Sequence, residues 1–196
     1  MGEVHLIRSQ TQLSALVAAA RQEIVDVLEQ MGTVSVAELA ATLGRPADAL
    51  YFHLRALVRA GLVRNAGPRA RPGGTETLYR TIAPELRLKY EPALAANRDT
   101  ISAIVASMLR LATRDFVRSL GSGQVVVDGP HRELLALRKV GRLSRAQIAR
   151  LNRGIAALVR EVSASRGRGR LYAVTLTLTP LDHRNKVAAR RRRKAA

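Results

Sequence analysis

The chain contains no cysteine, which excludes disulfides and thiolate-held metals from its chemistry. It has no apolar run approaching the ~20 residues that a helix needs to cross a bilayer. The first residues, MGEVHLIRSQTQ, lack a basic start followed by an apolar stretch. No secretory leader is read there, and a cytoplasmic location with no membrane partner is expected. His5, His53, His131 and His183 show no spacing of the HxxxH kind, so no metal site is expected. No nucleophile elbow, phosphate loop or paired-acid motif is present either. Neither catalytic residues nor a cofactor are expected, and the chain does not read as an enzyme.

Acidic residues are scarce as well: 15 Asp+Glu stand against 33 Lys+Arg, a net charge of +18 in 196 residues. Such an excess favours nucleic-acid partners, because cationic side chains release counterions condensed on phosphate. The excess is uneven. Residues 1–90 carry a net +3, and residues 91–196 a net +15. An apolar share of 47% argues for a folded chain, long enough for one well-buried core or two small ones.

What is present is a helix pattern over residues 12–31, with Leu13, Leu16, Val17, Ala20, Ile24, Val27, Leu28 and Met31 at three- and four-residue intervals, stopped by Gly32. Ser35 and Glu38 then fit a reciprocal capping box, and Val34 with Leu39 a hydrophobic staple. The short helix they start ends near Leu43-Gly44. Pro46 opens the next helix, which runs to about Ala60 and buries Leu50, Leu54 and Leu57 at i, i+4 and i+7. Gly61 fits the left-handed cap, with Leu62 folding back in a Schellman closure.

Residues 62–64 and 77–80 read as two short strands. The connection between them, residues 65–76, carries Arg69 and Arg71 beside Pro72-Gly73-Gly74, suited to phosphate or to a minor groove. Two capped helices followed by a basic hairpin describe a helix-turn-helix with a wing.

Further on, residues 92–120 form a long helical pattern. Its apolar face, from Ile101 through Met108 and Phe116 to Leu120, is wider than one intramolecular contact needs. After Gly121-Ser122-Gly123, strands are expected at 124–128 and 133–139, then a helix from Ser144 with Ile148, Leu151, Ile155, Leu158 and Val162 inside. Residues 171–179 alternate as a half-buried strand, completing a small ββαβ unit. Residues 184–196 form a basic tail expected to be disordered.

The run LAATLGRPADALYFHLRALVRAGLV and the hairpin ending Leu78-Tyr79-Arg80 resemble the winged-helix domain of ArsR-type bacterial transcriptional regulators. The resemblance covers about residues 16–82. It rests chiefly on His53-Leu54-x-x-Leu57 with Ala60-Gly61-Leu62-Val63, and on Arg21-x-x-Ile24-x-x-x-Leu28 upstream. It implies a symmetric homodimer with paired terminal helices, setting two recognition helices on an inverted-repeat operator in double-stranded DNA. It also implies groove-facing positions at Ala47, Asp48, Tyr51, Phe52 and Arg55, with Arg69 and Arg71 in the wing. Metal-sensing members carry cysteines where this chain has Leu39-Ala40-Ala41, so thiolate sensing is set aside.

The expected fold is therefore mainly α with small β (α+β). A winged helix-turn-helix occupies 1–90, a dimerisation helix 91–123, a C-terminal α+β module 124–183 and the tail 184–196. The expected function is a dimeric, sequence-specific regulator, a repressor, with a small-molecule effector of unknown identity at the C-terminal module. Two alternatives stay open: a basic protein that coats nucleic acid or associates with RNA, and a winged helix used for protein interaction. Arg55 fits a bidentate reader of guanine, a phosphate contact or a solvated charge. Asp48 in the first turn suits the helix dipole.

Overall fold

A computed structural model describes residues 4–165 and 169–181. Ser9 caps a first short helix, α1 (Gln10–Ala15), by accepting from the Gln12 amide. A second helix, α2 (Ala19–Met31), follows. The single helix expected over 12–31 is thus corrected to two. Apolar spacing continues across residues 16–18 because Leu13 and Leu16 on one side and Ile24 and Leu28 on the other all point into one core. What ends α1 is polar: the Gln22 side chain donates to the Leu16 carbonyl at 2.6 Å and to the Ile104 carbonyl at 3.2 Å. A buried carbonyl freed from its helix is satisfied in this way.

A two-residue strand, β2 (Val34–Ser35), leads into α3 (Val36–Leu43). The capping box is present in full: the Ser35 amide donates to Glu38 Oε2 at 2.7 Å, and the Glu38 amide to Ser35 Oγ at 3.3 Å. Gly44 at φ +60° ends α3. Pro46 stands at the N-cap of α4 (Ala47–Arg59). The closure of α4 is a Schellman motif, in which the Leu62 amide bonds the Leu57 carbonyl and the Gly61 amide that of Val58, both at 3.0 Å, with Gly61 at φ +69°.

Two antiparallel strands form the wing, β3 (Val63–Arg71) and β4 (Gly74–Thr81), and with β2 they make a sheet of order β2-β4-β3. Both are longer than expected, so Arg69 and Arg71 lie on a strand, not in a loop. Polar residues conceal such a ladder from periodicity, since neither face of its outer half is buried. A bulge between Asn65 and Gly67 offsets the register. A further pair has no counterpart in the sequence pattern. Strand β1 (Val4–Ile7) lies parallel to β5 (Glu85–Leu88), in register Val4↔Glu85 to Ile7↔Leu88.

Leu13, Leu16, Ile24, Leu28, Leu39, Leu50, Leu54, Leu57 and Leu62 form the core, each at most 6% exposed. Burial of each contributes roughly 1.5–3 kcal/mol. The long helix α5 (Ala95–Gly121) enters the same core through Ile101 and Ile104. Gln10 Nε2 donates to Thr100 Oγ1 at 2.6 Å, fastening α1 to α5. Past Ser107 the helix emerges: Leu109, Val117 and Leu120 are 44–61% exposed.

The mixed α/β winged-helix architecture is as expected; the C-terminal ββαβ unit is corrected. Among the described residues beyond 121, only α6 (Arg145–Ala164) is regular, with a capping box between Ser144 and Gln147. Residues 124–128, 133–139 and 171–179 form no ladder. Alternating side chains create a strand only where a neighbouring strand takes up the backbone groups, and the chain places none beside them. Glu133 instead gathers this region, accepting from the Val126 amide, Arg170 and the Tyr172 hydroxyl. The basic tail expected at 184–196 lies outside the described residues.

Candidate nucleic-acid interface

Helix α4 separates two faces sharply. Leu50, Leu54 and Leu57 are no more than 1% exposed. On the opposite side Asp48, the adjacent Tyr51 and Phe52, Arg55 and Arg59 lie along one stripe, all exposed, with Phe52 at 63%. Phe52 and Tyr51 stand exposed there beside Arg55 and Arg59. Four of the five groove-facing residues expected on α4 thus share one outward stripe. Ala47 does not: it is half-buried and packs against the core. Arg59 joins the stripe one turn after Arg55, and its i+4 spacing is a sequence signal that the site assignment left unused.

His53 sits behind the stripe, its ring 5.4 Å from that of Phe52 in an edge-on contact at 73°. Burial lowers the affinity of its imidazole for a proton, and the charges of Arg21 and Arg45 lower it further. The residue is packed, and its buried Nδ1 has no hydrogen-bond partner among the described residues.

Arg45, in the turn before α4, pairs with Glu23 Oε2 of α2 at 2.6 Å. The turn is thereby held to the preceding helix, fixing the angle at which α4 leaves the body.

In the wing, Arg69 is already engaged. Its Nη2 lies 2.7 Å from Glu76 Oε1 on β4 and 2.8 Å from Glu38 Oε1 on α3. Glu38 is held below the usual carboxylate range, chiefly by the hydrogen bond from the Ser35 amide and then by Arg69. Glu76 is lowered chiefly by Arg69. One carboxylate therefore both caps α3 and anchors the wing to it. Arg71 reaches Glu76 only at 3.5 Å and is 56% exposed. Sequence reasoning missed a second basic pair at the wing's base. Arg64 and Arg80 are direct cross-strand partners, both exposed, and neither makes an ion pair with a described carboxylate. Like charges set opposite in a ladder repel, and a phosphate between them removes that cost.

Residues 16–65 match a family model described as a helix-turn-helix domain. The match runs from the end of α1 to the start of β3 and leaves the remainder of the chain outside it. No curated protein matches the sequence. Among solved structures, the chain is similar to the oxidized form of MarR from E. coli, at 13% identity and a TM-score of 0.28, covering 76% of this chain and 85% of that one. A likeness that low bears on neither fold nor chemistry. The protein carries a helix-turn-helix domain, and its own geometry supplies the wing.

Proposed function

We propose that the protein is a sequence-specific DNA-binding transcriptional regulator of the ArsR type, acting as a homodimer that represses by occupying a promoter. One observation carries the reading: the exposed stripe of Asp48, Tyr51, Phe52, Arg55 and Arg59 on a helix whose other face is fully buried. A helix held so, projecting from a compact body, has the dimensions that enter a major groove. Arg55 reads a base edge there, and Tyr51 and Phe52 meet thymine methyls or sugar. Arg64 and Arg80 hold flanking phosphates. Arg71 reaches further along the wing, and Arg69 joins it when phosphate displaces one of its carboxylates.

Selection of bound fragments from sheared genomic DNA tests the proposal. An enriched inverted repeat, with half-sites about one helical turn apart, supports a dimeric operator-binding regulator. Uniform recovery that vanishes with modest added salt overturns it and favours a protein that coats phosphates.

A further inference from the structure

Between α6 and Leu176 opens a cavity of about 530 Å³, within the range of small-molecule sites. Its apolar wall is Leu143, Leu151, Ile155, Leu158 and Leu176, with Gly154 among them. A Cβ placed on Gly154 would meet nothing within 4 Å, so free space reaches the helix backbone there. The four leucines are 40–47% exposed. The cavity is therefore open to entry, and its apolar wall stands in water.

Two lining residues are polar, Gln147 and Arg150, and both offer donors. Gln147 Oε1 is already taken, accepting from the Ser144 amide at 2.8 Å, which leaves the Nε2 amide to donate. The Arg150 guanidinium can only donate, and it makes no ion pair among the described residues. No carboxylate lines the cavity. A ligand held at this end supplies acceptors and negative charge, which a planar guanidinium meets best as a carboxylate.

The other end is set by the wall. Past Arg150 the helix lends only Leu151, Gly154, Ile155 and Leu158 to it. All are aliphatic or bare, with no ring for a planar ligand to stack on. From Arg150 to Leu158 the helix rises about 12 Å. An extended chain advances roughly 1.2 Å per bond, so some ten bonds span that distance.

We propose that the cavity binds a free aliphatic carboxylate of about eight to ten carbons. Its head rests on Arg150 and Gln147, and its chain runs along Leu151, Gly154, Ile155 and Leu158, facing Leu176. A small-molecule partner at the C-terminal region is an expectation of the sequence alone; the cavity gives it a place and a chemical class. The proposal does not depend on how the protein meets DNA, and its test uses none.

Isothermal titration of the full-length protein with hexanoate, octanoate and decanoate provides the test. Each two-carbon step is expected to tighten binding on the order of tenfold, as burial of two methylenes implies. Decanol and decylamine, with the same chain and no anion, are expected to bind more weakly than decanoate. Arg150→Gln is expected to weaken decanoate about fivefold, the range of a partly exposed ion pair, and to leave decanol unchanged. Gly154→Leu fills the space over the backbone and is expected to abolish binding of every chain. Leucine is the better helix former, so undiminished helicity by circular dichroism separates that loss from unfolding.

Three outcomes overturn the proposal. Binding of no chain length is the result expected of a cavity filled by a second copy of the chain. Decylamine as tight as decanoate removes the role of Arg150. Decanoate binding unchanged in Gly154→Leu places the anion elsewhere on a basic surface.

Discussion

Arg114 of α5 donates to Glu23 of α2 at 2.6 Å, across 91 positions of sequence, and the other oxygen of the same carboxylate takes Arg45 at 2.6 Å. Glu23 is thus a three-helix junction: its own helix, the long helix, and the turn that launches α4. Hydrogen bonds to charged groups contribute about 1.5–3 kcal/mol in such partly buried settings. Glu23→Ala, which leaves Arg45 unpaired and Arg114 with Asp115 alone, is expected to destabilise the fold by about 2 kcal/mol in urea denaturation. Glu23→Gln, keeping one acceptor, is expected to fall between. A Glu23→Ala midpoint equal to wild type would remove the junction from the account.

Arg55 lies in the middle of the exposed stripe and makes no ion pair among the described residues. Arg55→Ala is expected to cost about 1–3 kcal/mol on the selected operator and to relax preference at one or two of its positions. Binding titrations against single-base operator variants give the measurement. Retention of both affinity and preference would displace α4 from the groove.

The wing separates two kinds of arginine. Arg64→Ala is expected to weaken all DNA sequences alike and to flatten the salt dependence by about one unit. Arg69→Ala removes the cation that Glu38 and Glu76 share and cuts the tie between wing and α3. Its expected signature is faster amide exchange in β3 and β4, with a smaller change in salt slope than Arg64→Ala gives. The reverse ranking of slopes would mean that Arg69 abandons its carboxylates for phosphate.

Glu29 of α2 accepts from the Leu86 amide of β5 at 2.7 Å. Burial raises its carboxyl from 4.5 to about 7, with the charges of Asp26 and Glu85 adding to the rise and the Leu86 hydrogen bond opposing it. The folded state therefore holds this proton more tightly than the unfolded chain. Its contribution to stability is complete below about pH 4.5 and is lost as the pH rises through about 7. The loss is about 1–2 kcal/mol after discounting for solvent screening. Glu29→Gln keeps an acceptor for Leu86 without the charge, and is expected to be more stable than wild type at pH 8 and little different at pH 4.5. Thermal melts at both values decide it, and parallel pH profiles for the two proteins would refute the assignment.

Much of the helix-turn-helix was legible in the chain because its determinants are local. Ser35 with Glu38, the leucines of α4 and Gly61 each act within a turn or two, and all behave as their spacing implies. The outward stripe of α4 follows from the same periodicity. Features set by distant partners were not legible. Val4–Ile7 and Glu85–Leu88 are too short to alternate visibly, and each becomes a strand only against the other. The pairing of Arg69 with Glu38 joins a wing to a helix some thirty positions earlier, which no local rule anticipates. Residues 171–179 show the converse. Their alternation encodes a face and the capacity to pair, but not the neighbour that completes a ladder.

The clasp between β1 and β5 also bears on how the chain is made. Ile7, 1% exposed in the finished protein, leaves the ribosome about eighty residues ahead of the strand that pairs with it. At about 5–20 residues per second, the nascent chain carries that uncovered edge for some 4–16 s. Translation speed through the helix-turn-helix thus sets how long the amino-terminal strand waits for its partner.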